Sequence, residues 1–153
     1  MGRQVIAVDL SSRRREYARA LGACLALDPA QTDPVVAIRE FTKGGADACI
    51  EAAGKPETAR QCFRAVRTAG IVVFNGEQPA VELSPSEDFI HRDVWAVGSW
   101  SYHFSEFPRM LALHRAGVPV GKLITHHFPL SEAGEAYRAM AAGETGKVLL
   151  HSW

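Results

Sequence analysis

The stretch Val5-Ile6-Ala7-Val8-Asp9 constrains this chain more than any other. Four apolar residues run without alternation and end in a carboxylate. A continuous apolar run of that length predicts a strand buried on both faces of a parallel sheet. The residues that follow, from Ser11-Ser12-Arg13-Arg14-Arg15 to Leu21-Gly22, predict a helix. Ser11 or Ser12 can cap it, and Gly22 suits the left-handed position after a helix. A strand feeding a helix must bury itself against other such units.

The rest of the chain supplies those units. Cys24–Leu27 reads as a second short strand, ended by Asp28-Pro29. Asp33-Pro34 predicts a helix start, a capping side chain followed by a proline where no amide hydrogen is needed. Val35, Ile38 and Phe41 mark its apolar face and Gly44-Gly45 its end. Asp47–Glu51 is the next strand and opens into Ala52-Ala53-Gly54, small residues that let a flat ligand approach the backbone. A helix over about Glu57–Arg67, a strand over Gly70–Phe74 and a turn at Asn75-Gly76 follow. Residues 77–93 carry no clear pattern. Val94–Val97 predicts one more strand, ending at Gly98-Ser99-Trp100. A helix capped by Ser105 accepts Pro108 in its first turn and ends at Gly117, with Phe107, Met110, Leu111 and His114 on one face. The chain closes with an extended piece (Leu123–Phe128), a helix (Ser131–Ala142) and a strand (Lys147–His151). Strands alternating with helices through short joins define an α/β class with a parallel sheet covered on both faces.

Composition narrows the function. At 153 residues the chain is long enough to bury one core. Its 17 Lys and Arg match 17 Asp and Glu, so no overall field recruits nucleic acid or an acidic membrane surface. Arg13-Arg14-Arg15 reads as a solvated helix start. No apolar stretch reaches the roughly 18 residues of a membrane span, and no leader pattern opens the sequence, so a cytoplasmic location is expected. Cys24, Cys49 and Cys62 have no metal-type spacing and are expected to be buried, reduced thiols. The histidines (His91, His103, His114, His126, His127, His151) are scattered, and neighbours on a strand point to opposite faces, so no metal site is expected.

In a doubly wound sheet, an acid at the tip of the second strand holds the adenosine ribose of a dinucleotide. The glycine-rich phosphate turn lies about 20 residues before that acid. Counted back from Asp9, the turn would fall before Met1. The expected fold is therefore an incomplete Rossmann-type doubly wound parallel sheet lacking its first strand and its glycine-rich turn.

The order of elements resembles the C-terminal half of the medium-chain dehydrogenases, the zinc-type alcohol, polyol and threonine dehydrogenase family. The matching pieces are Val5–Asp9 with Arg14, Gly45-Ala46-Asp47 through Glu51-Ala52-Ala53-Gly54, and Arg67-Thr68-Ala69-Gly70 through Gly76. They continue with Gly98-Ser99, Leu123-Ile124-Thr125-His126 through Phe128-Pro129-Leu130, and Gly146-Lys147-Val148. The resemblance implies that Asp9 accepts hydrogen bonds from the adenosine ribose, with Arg14 beside the same ribose. It implies that Ala52, Ala53 and Gly54 border the adenosine side of the cleft. Asn75, Gly76, Gly98 and Ser99 would approach the nicotinamide, and Lys147 would reach the pyrophosphate. An acid at position 9 favours NAD over NADP by repelling a 2′-phosphate.

The family's N-terminal catalytic domain, which carries the zinc ligands, has no counterpart here. On the resemblance, residues 1–122 form a truncated dinucleotide-binding domain, and residues 123–153 a segment that would pack on the missing catalytic domain. Met1-Gly2 falls where the first helix of the whole domain would end, so a fragment or truncated reading frame is expected. Three outcomes are open for the two strands flanking the gap: direct pairing, a strand supplied by another chain, or a loose protein prone to associate. Each unpaired buried backbone group would cost roughly 1–3 kcal/mol, against a net stability of about 5–15 kcal/mol. The expected function is the NAD-binding portion of a zinc-type alcohol or polyol dehydrogenase, with no catalytic or metal-binding residue of its own and inactive alone. NAD binding would be weak or lost. The alternatives are a non-catalytic subunit completed by a chain carrying the N-terminal half, or a homodimeric remnant.

Overall fold

The computed structural model describes residues 4–143 and 145–152. The chain is α/β, and its strands form three separate sheets: β1 (Ile6–Val8) with β2 (Leu25–Leu27), β3 (Ala46–Glu51) with β4 (Val66–Phe74) and β5 (Trp95–Gly98), and β6 (Ile124–Pro129) with β7 (Lys147–His151). Within the second and third sheets the strands run parallel. Five α-helices accompany them: α1 (Ser12–Ala20), α2 (Pro34–Thr42), α3 (Pro56–Ala65), α4 (Phe107–Arg115) and α5 (Ala133–Ala141). The chain divides into two compact units, one of residues 1–26 and 103–153, the other of residues 27–102.

In the second unit, α2 starts where a capping acid predicts it: Asp33 accepts from Val35 N at 2.8 Å and from Val36 N at 3.3 Å. Helix α3 packs on β3 and β4 and against α2. Its Ala59, Phe63 and Ala65 are buried, with the Phe63 ring 5.0 Å from Phe89 and 6.0 Å from Phe74 between centroids. Val66 and Arg67, read as helical from the sequence, already belong to β4, which carries a register shift opposite Ala46–Ala48. The unpatterned stretch 77–93 holds a π-helical turn (Pro85–Phe89) capped by Ser84 and a 3-10 turn (Ile90–Arg92).

Strand register sorts this sheet's two faces. The rows Cys49–Val72–Ala96 and Glu51–Phe74–Gly98 share one face; on it Cys49, Glu51 and Val72 are buried and α3 packs. The rows Ala48–Ile71–Trp95 and Ile50–Val73–Val97 share the other. That second face is open: Ile50 is 66% exposed and Trp95 69%. A parallel sheet is expected to be covered on both faces; here one face lacks its cover.

In the first unit, Ser11 caps α1 by accepting from Arg14 N at 3.4 Å. Arg15 donates to the carbonyls of Asp9 and Leu10, and Arg19 to that of Ala26. Burial of the first strand on both faces does not hold. Val5 and Val8 are exposed, and Ile6 and Ala7 only half-buried. The physical reason is that β1 has one hydrogen-bonded neighbour, β2, where an interior strand has two. The expected apolar face of α4 is likewise uncovered, with Phe107, Met110 and His114 exposed and Leu111 half-buried. A 3-10 turn (Phe104–Glu106) precedes α4, and His103 rather than Ser105 accepts at its start. Cys24, expected to be buried, is exposed just before β2, with its Sγ 3.2 Å from Val5 O. β7 runs over Lys147–His151 as the sequence predicts.

Candidate functional site

The carboxyl ends of β3, β4 and β5 bring together seven of the ten residues singled out by sequence. β3 ends at Glu51 and leads into Ala52, Ala53 and Gly54, β4 leads into Asn75 and Gly76, and β5 ends at Gly98 before Ser99. Backbone bonds lace these loops together. Asn75 N and Gly76 N each donate to Glu51 O at 2.9 Å, and Ser99 N donates to Phe74 O at 2.8 Å. The side chain of Asn75 adds a bond from Nδ2 to Ser99 O at 3.2 Å.

The organiser of this edge is a residue that the sequence reading left unassigned. The carboxylate of Glu51 is 0% exposed. Its Oε1 accepts from Ala53 N at 2.8 Å, Gly54 N at 2.9 Å and the Thr58 hydroxyl at 2.7 Å. Its Oε2 accepts from Gln78 Nε2 at 3.3 Å. A buried carboxylate without such donors would be costly; with them it clamps the 52–54 loop, the start of α3 and the 75–78 loop. Two glycines make the clamp possible. Gly54 has φ +69°, and a Cβ there would strike Glu77 O. A Cβ on Gly76 would strike Gly54 N and lie 2.8 Å from Glu51 Oε2. The available signal was an acid at a strand tip followed by Ala-Ala-Gly, which suits a clamp as well as a solvent-facing end.

Beside Gly76 lies an open depression of about 600 Å³, lined by Phe74 and residues 76–81. Gln78 Oε1 is buried there without a hydrogen-bond partner. A buried acceptor left unpaired is rare.

The remaining three residues lie in the other unit. Asp9 follows β1; its Oδ1 accepts from Ser11 N at 2.8 Å, and its Oδ2 lies 3.8 Å from Arg14 Nη1. Asp9 and Arg14 are thus neighbours, with one carboxylate oxygen engaged by the turn into α1. Lys147 is not with them. It starts β7 opposite Ile124 and lines a cavity of about 340 Å³ with Tyr17, Leu21 and Lys122, at the far end of α1. Lys147 therefore lies beside the C-terminal half of α1, while Asp9 precedes its N-terminus.

No group of three or more His, Cys, Asp or Glu among the described residues is placed to hold a metal ion. His127 Nδ1 lies 2.6 Å from His151 Nε2, and His126 bonds to its neighbour Thr125 at 2.8 Å. A catalytic zinc takes three protein ligands and an open position. These donor sets do not fit it.

The family model of zinc-binding dehydrogenases matches residues 1–116. The chain belongs to the zinc-binding dehydrogenases. It is 31% identical over 151 residues to an L-threonine 3-dehydrogenase of Symbiobacterium thermophilum, covering 95% of this chain and 43% of that protein. Among solved structures, 2R,3R-butanediol dehydrogenase from Bacillus subtilis superposes with a TM-score of 0.89 at 30% identity, over 98% of this chain and 44% of that one. A zinc-binding dehydrogenase from Sinorhizobium meliloti bound to NADP gives a TM-score of 0.86 at 29% identity, over 96% and 44%. This zinc-binding dehydrogenase chain therefore spans less than half the length of the relatives it matches. Among the described residues, no helix is long and apolar enough to cross a membrane.

Proposed function

We propose that this chain is the NAD-binding portion of a zinc-type alcohol or polyol dehydrogenase, acting in the cytoplasm, and that alone it oxidises no alcohol. The observation that carries the reading is the edge at β3–β5, where buried Glu51 holds loops 52–54 and 75–76 and Asn75 and Phe74 bond in turn to Ser99. Loops at the carboxyl ends of parallel strands are where open α/β sheets take their ligands. By the family resemblance Asp9 with Arg14 would bind the ribose, and the carboxylate disfavours a 2′-phosphate. Lys147 reaches the pyrophosphate in this reading only if the whole protein brings β7 there. Residues 1–122 act as the nucleotide-binding part, and residues 123–153 pack on a catalytic domain. When bound, NAD would accept the hydride; this chain's residues bind and orient it.

Calorimetric titration of the isolated chain with NAD tests the binding. The ribose hydrogen bonds are worth about 1.5–3 kcal/mol, so affinity of millimolar class at best is expected. An absence of heat at millimolar NAD defeats the binding half of the proposal. NADH formation with a panel of alcohols and polyols, zinc present, tests the other half; sustained turnover defeats it.

The open apolar face of β3–β5 favours a second reading, in which another chain completes this one. Exposed, contiguous apolar surface marks an interaction site. β1 and β3 each have a single hydrogen-bonded neighbour, which leaves each an edge a further strand could pair with. The partner is a chain carrying the N-terminal half, or a second copy of this one.

A further inference from the structure

We propose that the cavity between α1 and the β6–β7 sheet is a binding site for a small organic anion, a phosphate or carboxylate carried on an apolar body. The cavity measures about 340 Å³ and lies within one compact unit. That volume falls in the range of small-molecule sites. Its helix wall is Tyr17 and, at the end of α1, Leu21. Four residues apart, they share one face. The facing wall is Leu123, Thr125 and Gly146. Lys122 and Lys147 bring two ammonium groups to it, and among the described residues no acid lines it. Mostly apolar walls with a few polar groups that fix orientation are the usual build of a small-molecule site.

The backbone fixes both lysines at one end of the β6–β7 sheet. Lys147 pairs in register with Ile124, and Lys122 lies on the 3-10 turn (Val120–Leu123) that leads into β6. Gly146 locks the turn to the strand: its N donates to Thr125 Oγ1 at 2.8 Å, and a Cβ there would lie 2.7 Å from Leu123 O. Only glycine permits that approach. On the helix side, the Tyr17 hydroxyl accepts from Arg13 Nε at 3.1 Å, and the Arg13 guanidinium stands 5.7 Å from the ring centre. The hydroxyl keeps its own hydrogen to donate.

The distribution of charge favours an anion here. The whole chain is neutral, yet residues 1–26 and 103–153 hold ten Lys and Arg against six Asp and Glu, while residues 27–102 hold seven against eleven. The cavity belongs to the positive unit, whose field draws anions toward it. The carbonyl end of α1 opposes an anion with roughly half a charge, but its last carbonyls are engaged. Leu21 N donates to Tyr17 O at 2.9 Å, Ala23 N to Ala18 O at 2.9 Å and Gly22 N to Arg19 O at 3.0 Å. Against that half charge stand the two full charges of Lys122 and Lys147. A bare inorganic anion would meet the ammonium groups and leave Leu21 and Leu123 wet; an apolar body covers both. This site stands whether or not NAD binds at the β3–β5 loops.

The test is amide NMR of the full chain titrated with 1-naphthyl phosphate and with 1-naphthoate, set beside 1-naphthol and inorganic phosphate as the apolar and anionic halves. Shifts are expected at Leu21, Leu123, Thr125 and Gly146, with at least one naphthyl anion binding about tenfold more tightly than either half. The tighter of the two anions identifies the headgroup. Lys122→Ala and Lys147→Ala are each expected to weaken binding about fivefold, and both should fold as the parent does, since each truncates an exposed side chain. Absence of shifts with either anion, shifts confined to residues 27–102, equal affinity for 1-naphthol and the naphthyl anions, or unchanged affinity in both variants would each overturn the proposal.

Discussion

Thr58 shares its hydroxyl hydrogen between Glu51 Oε1 at 2.7 Å and Lys55 O at 2.8 Å, so the first turn of α3 hangs from the carboxyl end of β3. Glu51 is fully buried, and its other contacts are amides of the same loop and the side chain of Gln78. The junction depends on a charged acceptor that only this tertiary arrangement surrounds with donors.

Replacing that acceptor is expected to be costly. Glu51→Ala leaves the amides of Ala53 and Gly54 without their acceptor and should destabilise the chain by about 2–5 kcal/mol. Thr58→Val removes one bond to a charged group and should cost about 1.5–3 kcal/mol. Urea unfolding followed by circular dichroism measures both. A Glu51→Ala midpoint equal to the parent's would show that the clamp carries no stability.

Asp9 has two tasks that a variant can separate. Its Oδ1 caps the turn into α1 through Ser11 N, and its remaining capacity is assigned to the ribose. Asp9→Ala should remove the residual heat of NAD binding, and NADP should bind the parent more weakly than NAD. An unchanged NAD isotherm for the variant would leave Asp9 as a cap alone.

Cys49 and Cys62 set an alkaline limit. The hydrogen bond to Cys49 and burial raise Cys62 in the folded chain above its ordinary range. Its contribution to stability is therefore complete below the unfolded thiol's pKa, about 8.5, and is lost as pH rises beyond it, because the unfolded chain releases that proton first. Cys49 is lowered and has the opposite sign: its contribution is present above the unfolded value and is lost as pH falls through the folded one. Unfolding free energy should thus decline above about pH 8.5, and Cys62→Ala should flatten the decline. Equal slopes for parent and variant would refute the assignment.

The open sheet face predicts association. Ile50 and Trp95 stand on it, both mostly exposed. The apparent mass by size exclusion should rise with protein concentration, and Ile50→Lys should suppress the rise by placing a charge in the apolar row. A monodisperse monomer across the range would remove self-association from the second reading.

The local elements were legible because their causes are local. Asp33-Pro34 starts α2, Ser11 caps α1, and β7 falls on Lys147–His151. Caps and turn residues act within three or four positions of the chain. The loops 52–54, 75–76 and 98–99 were legible too, as small or turn-forming residues just past strand ends. Glu51 was not, since an acid at a strand tip looks alike whether it meets solvent or four donors. Lys147 was assigned to the pyrophosphate by family resemblance, and its position beside the last turns of α1 depends on how β6 and β7 pair.

By itself, then, the sequence determined the alternation of strands and helices, the helix starts and the α/β class, because each follows from nearest-neighbour sterics and apolar spacing. Tertiary structure alone decided that β1 is half-exposed, that β3–β5 keeps one bare face and that Glu51 is buried. Burial and backbone pairing belong to neighbours distant in sequence. The apolar run at Val5–Val8 reads the same whether an adjoining strand covers it or not.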